Sequence, residues 1–312
     1  MSETALDIKG HHVDMFSDLT VLRSQQLTDN LRKSVTIEDD IIGRAHYFDQ
    51  VGKTETRDRT NLRYPPSPHQ EVGHFRRKIV PMTKDWGHAI DRNDRLKMFT
   101  QLDGKYVQAA AGAFARDYCT EILRAAGADA IVENEEGTTS SVPLPSTSKI
   151  GIQVGSSGPA DVNMNVEKAR RAKSRILSND VDVGIEQIWG IMPPDALYIG
   201  LMSQTEFTSQ DFNVIKPLAG LGGFEILQWM GVNWILSNRC PGTENDRKCY
   251  MWAQSGVALG IWREVTVMGG KRPDLCFADY LYADTEFKAI RLEEEKVVEI
   301  SIEQTVSATT NP

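Results

Sequence analysis

Residues 53–74 read KTETRDRTNLRYPPSPHQEVGH, and this stretch decides how the chain is to be understood. Two β-like runs flank it, Ile41 to Val51 and Phe75 to Met82. Between them Pro65, Pro66 and Pro68 forbid regular structure, because proline removes the backbone donor and fixes φ. Cations are dense: Arg57, Arg59 and Arg63, then Arg76, Arg77 and Lys78, with Glu55, Asp58 and Glu71 among them. The apolar positions are too few to repay the entropy of ordering the segment by itself. The spacing predicts a β-hairpin that projects from the body and is ordered by a neighbour. An arm of about 18 residues at about 3.3 Å each reaches up to roughly 60 Å, enough to cross an adjacent subunit. The alternative is a long surface loop with no partner.

Upstream, residues 1–37 are polar with scattered anchors such as Val13, Phe16, Leu19, Leu22 and Leu27. That is too little apolar content for a separate core, so they read as an arm lying on something else. Downstream, the run 103–127 is the firmest helix. Val107, Ala110, Phe114, Tyr118, Ile122 and Ala125 recur at three- and four-residue steps, with Asp103 near the N-cap and Gly127 as the stop. A second helix is expected over 165–179, with Asn165 as N-cap. Strands are expected at Ala130–Val132, Leu197–Met202, Val232–Leu236, Cys249–Gln254, Leu275–Phe287 and Lys296–Glu303. In the last of these, Val298, Ile300 and Ile302 share one face. Helices and strands do not alternate regularly, so the class is α+β and not a doubly wound parallel sheet.

The whole-chain numbers exclude several functions. A hydrophobic fraction of 40% and a charged fraction of 25% are those of a globular protein. No apolar run has the length of a membrane span, and no signal peptide is visible. A formal charge of -8 argues against a dedicated DNA-binding protein, although not against a wall that faces DNA. Cys119, Cys240, Cys249 and Cys276 are too scattered for a zinc site and read as buried or incidental thiols. Five of the six histidines fall in the arm and loop, and neither H-E-x-x-H, G-x-S-x-G nor a Walker loop occurs. The acidic clusters Glu133, Glu135, Glu136 and Glu293–Glu295 read as solvated charge runs. The six tryptophans read mostly as core. No catalytic set, cofactor or metal ligand is expected.

The ordered pieces resemble the major capsid proteins of tailed bacteriophages, of the Hong Kong 97 type. The pieces are Asp49-Gln50-Val51-Gly52, His69, Arg76-Arg77-Lys78, Asp85-Trp86, Ile90-Asp91 and Asp94, followed by the helix YVQAAAGAFARDYCTEIL at 106–123. A second block contains Ser237-Asn238-Arg239, Ser255-Gly256-Val257, Arg291 and Glu294-Glu295-Lys296-Val297-Val298. The likeness covers 40–125 and 195–303. It implies an N-terminal arm over 1–37, an extended loop over 38–84, and a peripheral domain over 85–165 and 265–292 carrying the long spine helix. It further implies an axial domain over 166–264 and 293–303 and a frayed tail over 304–312. The subunit would assemble with itself into hexamers and pentamers of an icosahedral head. Portal, scaffolding and cement proteins would be its partners, and double-stranded DNA would be faced non-specifically. The expected location is the virion, with no membrane involved. Some relatives weld subunits through a Lys–Asn isopeptide bond promoted by a Glu; that trio does not map onto residues here, and Lys53 and Lys78 are the loop lysines of interest. Arg57, Arg59, Arg63, Arg76, Arg77 and Lys78 are the expected inter-subunit contacts, where charge pairs would set register more than affinity. The competing readings are a decoration or tail-tube subunit, or an enzyme of unrecognised type.

Overall fold

The structure, a computed structural model, describes residues 26, 29–59, 67, 69–91, 103–133, 137–155, 160–182, 184–204 and 227–305. Two α-helices, several short helical turns and fifteen strands are defined among them. Helix α1 spans Asp103–Gly127 and α2 spans Val166–Ser178, both where the sequence places them. Asn165 caps α2: its side chain accepts a hydrogen bond from the Lys168 amide, as an N-cap must to satisfy a first-turn donor. In α1 the apolar stripe is buried through Ala110, Phe114, Tyr118, Ile122 and Ala125.

The strands are β1 (Thr36–Glu38), β2 (His46–Val51), β3 (His74–Ile79), β4 (Met82–Ile90), β5 (Ala130–Glu133), β6 (Thr139–Val142), β7 (Lys149–Ile150) and β8 (Ile188–Met192). They continue with β9 (Leu227–Trp229), β10 (Val232–Leu236), β11 (Gly242–Thr243), β12 (Asp246–Ala253), β13 (Val257–Arg272), β14 (Ala278–Arg291) and β15 (Val297–Ile302). They form three sheets. One is ordered β1-β13-β14-β4, one β2-β3-β5-β6, and the largest β7-β15-β12-β8-β10-β9 with β11 attached to β12.

The large sheet is covered on both faces. Trp189, Ile191, Ile235, Tyr250, Trp252 and Val297 point to the side of α1. Ile188, Trp234, Cys249, Met251, Val298, Ile300 and Ile302 point to the side of α2. The shared face of Val298, Ile300 and Ile302 is thus observed, and period-two alternation distributes each strand between two cores. Gly190 is required in β8 because a Cβ there would meet the Trp234 ring. Four tryptophans, Trp189, Trp229, Trp234 and Trp252, are core.

The described residues before β1 lie on the body. Leu31 and Val35 are buried in the core beneath α1, and Arg116 donates to the Gln26 carbonyl at 3.0 Å. The Trp252 indole N–H donates to the Ser34 carbonyl at 2.7 Å.

One expected strand is corrected. Leu197–Met202 lies in consecutive helical turns over Ala196–Ser203, and the buried strand of that region is β8, upstream of Pro193-Pro194. The prolines sit where a helical turn begins, a position that tolerates a missing N–H. Two strands, β13 and β4, are not among those expected from the sequence. β13 is disguised by bulges at Ile261/Arg263 and Arg263/Thr266, which interrupt the alternation. β4 alternates half-buried and exposed residues along its pairing with β14, from Phe287↔Met82 to Asp279↔Ile90.

Candidate inter-subunit surface

β2 and β3 form the expected antiparallel hairpin, in register from His46↔Ile79 to Val51↔His74. On one face Tyr47, Asp49 and Val51 stand opposite Lys78, Arg76 and His74. On the other His46, Phe48 and Gln50 stand opposite Ile79, Arg77 and Phe75. The second face starts on the body, where Ile79 and Phe48 pack with Ala130, Ala258, Ile290, Trp262 and Leu292. That cover ends before the hairpin does. Phe75 is 57% exposed and Val51, on the other face, 70% exposed. Beyond the last strand pair, the Gly52 amide donates to the Gly73 carbonyl at 2.7 Å, and Lys53–Arg59 and His69–Glu71 are exposed.

The six predicted cations separate into three kinds. Arg57 and Arg59 lie exposed on the outgoing side of the loop; Arg63 falls outside the described residues. Arg76 and Lys78 form cross-strand pairs on the outer face. Arg76 Nε donates to Asp49 Oδ1 at 2.6 Å with the guanidinium over the Tyr47 ring, and Lys78 Nζ lies 2.9 Å from Glu133 Oε2. The hydrogen bond from Arg76 holds the Asp49 carboxyl below its usual range, and the one from Lys78 does the same for Glu133. The first pair ties β2 to β3 and the second ties β3 to β5, and exposed pairs of this kind contribute little to stability in water.

Arg77 is the third kind. It is buried, and its Nη2 donates to Glu294 Oε2 at 2.7 Å. Its charge is therefore taken up inside its own subunit, because the residue opposite a partly covered strand faces the body and not the neighbour. Glu294 is correspondingly not part of a solvated run. It also lies 3.5 Å from Nε of Arg291, a residue with no solvent exposure. Arg291 donates to the carbonyls of Ala126 at 3.1 Å, Ala128 at 2.6 Å and Val142 at 2.8 Å. The last carbonyls of a helix lack intrahelical partners, and a cation there also meets the negative end of the helix dipole. Burial pushes Arg291 below its usual value while Glu294 acts against it. The node joins the root of the hairpin to the end of α1 and to β6, and so sets the direction in which the hairpin leaves.

The exposed apolar pair Val51 and Phe75 was not singled out in the sequence; the signal was alternation continuing past the segment that the body can cover. Lys53 was of interest as a loop lysine, and it sits 3.6 Å from Asp180 and 3.8 Å from Glu295 of its own chain, all well exposed. A second ribbon end, on β13 and β14, exposes Val267, Met268, Leu275 and Phe277. Among the described residues no cluster of three or more metal-ligating side chains occurs, and no helix is long and apolar enough to cross a membrane.

The sequence matches the family described as phage capsid protein over residues 8–304. Solved structures of similar shape include the capsid of Ralstonia phage GP4, with TM-score 0.72 and 8% identity over 100% of both chains. The capsid asymmetric unit of cyanophage Pam1 gives 0.69 and 12%, again over 100% of both chains. The capsid of cyanophage P-SCSP1u gives 0.65 and 13% over 97% of this chain and 96% of that one. No curated protein matches.

Proposed function

The chain belongs to the phage capsid protein family and is a major capsid protein of the head shell, and we propose that its β2–β3 hairpin is the arm by which one subunit is held on the next within hexameric and pentameric capsomers. It is a structural subunit of the virion and not an enzyme, with the Hong Kong 97-type fold. One observation carries the reading of the hairpin: its strands extend past the cover of their own body, leaving Phe75 and Val51 in water at the root of a charged loop. An isolated two-stranded ribbon is marginal in water, and a neighbouring surface supplies the missing face. The cost of ordering the loop offsets part of the contact energy, which keeps single contacts weak enough for errors to dissociate during shell closure.

On this reading, 1–37 is an arm, 38–84 the extended loop, 85–165 with 265–292 a peripheral domain, and 166–264 with 293–303 an axial domain. In support, β14 and most of β4 fall in the peripheral ranges, and β8 to β12 with β15 in the axial ones. Portal, scaffolding and cement proteins are the further partners, and packaged double-stranded DNA is faced without tight binding, in keeping with a charge of -8. Arg57, Arg59 and Arg63 are the loop cations that reach the neighbour; Arg76 and Lys78 keep the ribbon in register, and Arg77 aims it.

The test is the double substitution Val51→Glu and Phe75→Glu. The expected product is a folded subunit with unchanged circular dichroism that forms no closed shells. Shells of normal size in electron micrographs would overturn the reading.

A further inference from the structure

Cys240 and Cys249 lie away from the hairpin, both buried in the body. β11 and β12 pair in the register Gly242↔Arg247 and Thr243↔Asp246, and the Lys248 amide donates to the Pro241 carbonyl at 2.9 Å. One step further along, Cys240 comes opposite Cys249. The Pro241–Lys248 pair takes the backbone hydrogen bond, so the cysteines occupy the adjacent, non-bonded kind of position, where antiparallel partners stand closest. The Cys240 side chain is near enough to Cys249 to act on the ionisation of its thiol. Arg247 Nη1 donates to the Cys240 carbonyl at 2.7 Å and fixes the approach of the two segments. Both residues are buried and both are thiols in this structure.

We propose that Cys240 and Cys249 are a disulfide-forming pair, reduced in a reducing medium and bridged within one subunit once the particle meets an oxidising one. With a small disulfide such as oxidised glutathione, one cysteine thiolate attacks and expels a glutathione thiolate. The other cysteine then displaces the second glutathione from the mixed disulfide. One S–S bond forms in the protein and one breaks in the oxidant, two electrons pass to the oxidant, and the two thiol protons leave with the two glutathione thiols. Burial pushes the Cys249 thiol up, and the adjacent Cys240 acts in the same direction, so the closed form reacts slowly. The route is local opening of β11, a two-residue strand whose residues are both exposed. The product staples that strand to β12 in the middle of the large sheet.

The experiment uses the full-length protein, as assembled particles or as free subunits. It is incubated with oxidised glutathione, unfolded in denaturant with an alkylating agent, digested and analysed by mass spectrometry. Most molecules should yield a Cys240–Cys249 linked peptide, with Cys119 alkylated and the link abolished by dithiothreitol. A Cys249→Ser chain should yield alkylated Cys240 and no linked peptide. Full alkylation of both Cys240 and Cys249 in the wild-type chain, even when the incubation includes enough urea to open the sheet edge, would overturn the assignment. Should the substituted chain fail to fold, the wild-type result decides alone.

Discussion

β15 and β3 are strands of the same length, six residues each, with opposite surroundings. Every residue of β15 is buried, its two faces shared between the core beneath α1 and the core beneath α2. β3 buries only Arg77 and Ile79, at the end that touches the body, and leaves His74, Phe75 and Arg76 exposed. The first strand is stabilised within the subunit. The second leaves half of its surface to solvent, and on the proposed reading another copy covers it. A capsid subunit needs both: a body that persists through assembly, and a projection whose order depends on assembly.

The contrast breaks most severely if the body is opened. Trp252→Ala removes a fully buried ring and its hydrogen bond to Ser34, and should cost about 4 kcal/mol in urea unfolding of the free subunit. A loss below about 1 kcal/mol would mean that the large sheet is not the stabilising core. At the boundary between the two regions, Glu294→Ala leaves Arg77 and Arg291 without their shared carboxylate. It should cost about 3 kcal/mol by the same measurement, and shells that still form should have irregular shapes.

Lys168 sharpens the comparison from the other side, since it is a cation placed wholly inside the body. Its amine donates to the carbonyls of Val162 and Ser301, and burial pulls its pKa down from 10.5 to about 8. Between those values the unfolded chain binds more protons than the folded one. The penalty is therefore fully present below pH 8 and is lifted as pH rises to about 10.5, a change of up to about 3 kcal/mol. Comparing urea midpoints of the wild-type chain and Lys168→Met from pH 7 to pH 10 isolates it. The wild type should gain on the variant through that window, and parallel curves would refute the assignment.

The smallest effect on folding belongs to the projection. Val51→Glu with Phe75→Glu should move subunit stability by no more than about 0.5 kcal/mol while assembly fails. Arg76→Glu places two carboxylates opposite each other at Asp49, leaves the body's unfolding unchanged, and slows shell formation in light-scattering assays. Effects on assembly without effects on folding are what distinguish the two regions.

By itself the sequence determined the elements whose signals are local. The stripe of α1, the Asn165 cap of α2, the Val298–Ile302 alternation and the proline-broken, charge-rich hairpin are each written in neighbouring residues, because helix and strand periods repeat within a few positions. The run 197–202 misled for the same reason: a short apolar run carries no period, and burial alone does not distinguish a strand from a helical turn. The tertiary structure alone decided where Arg77 points, that Glu294 is its partner 217 positions away, and that bulged β13 runs unbroken beside β14. Those facts depend on which surfaces meet once the three sheets stack. A charge's role depends on what lies across from it, and only the folded chain supplies that.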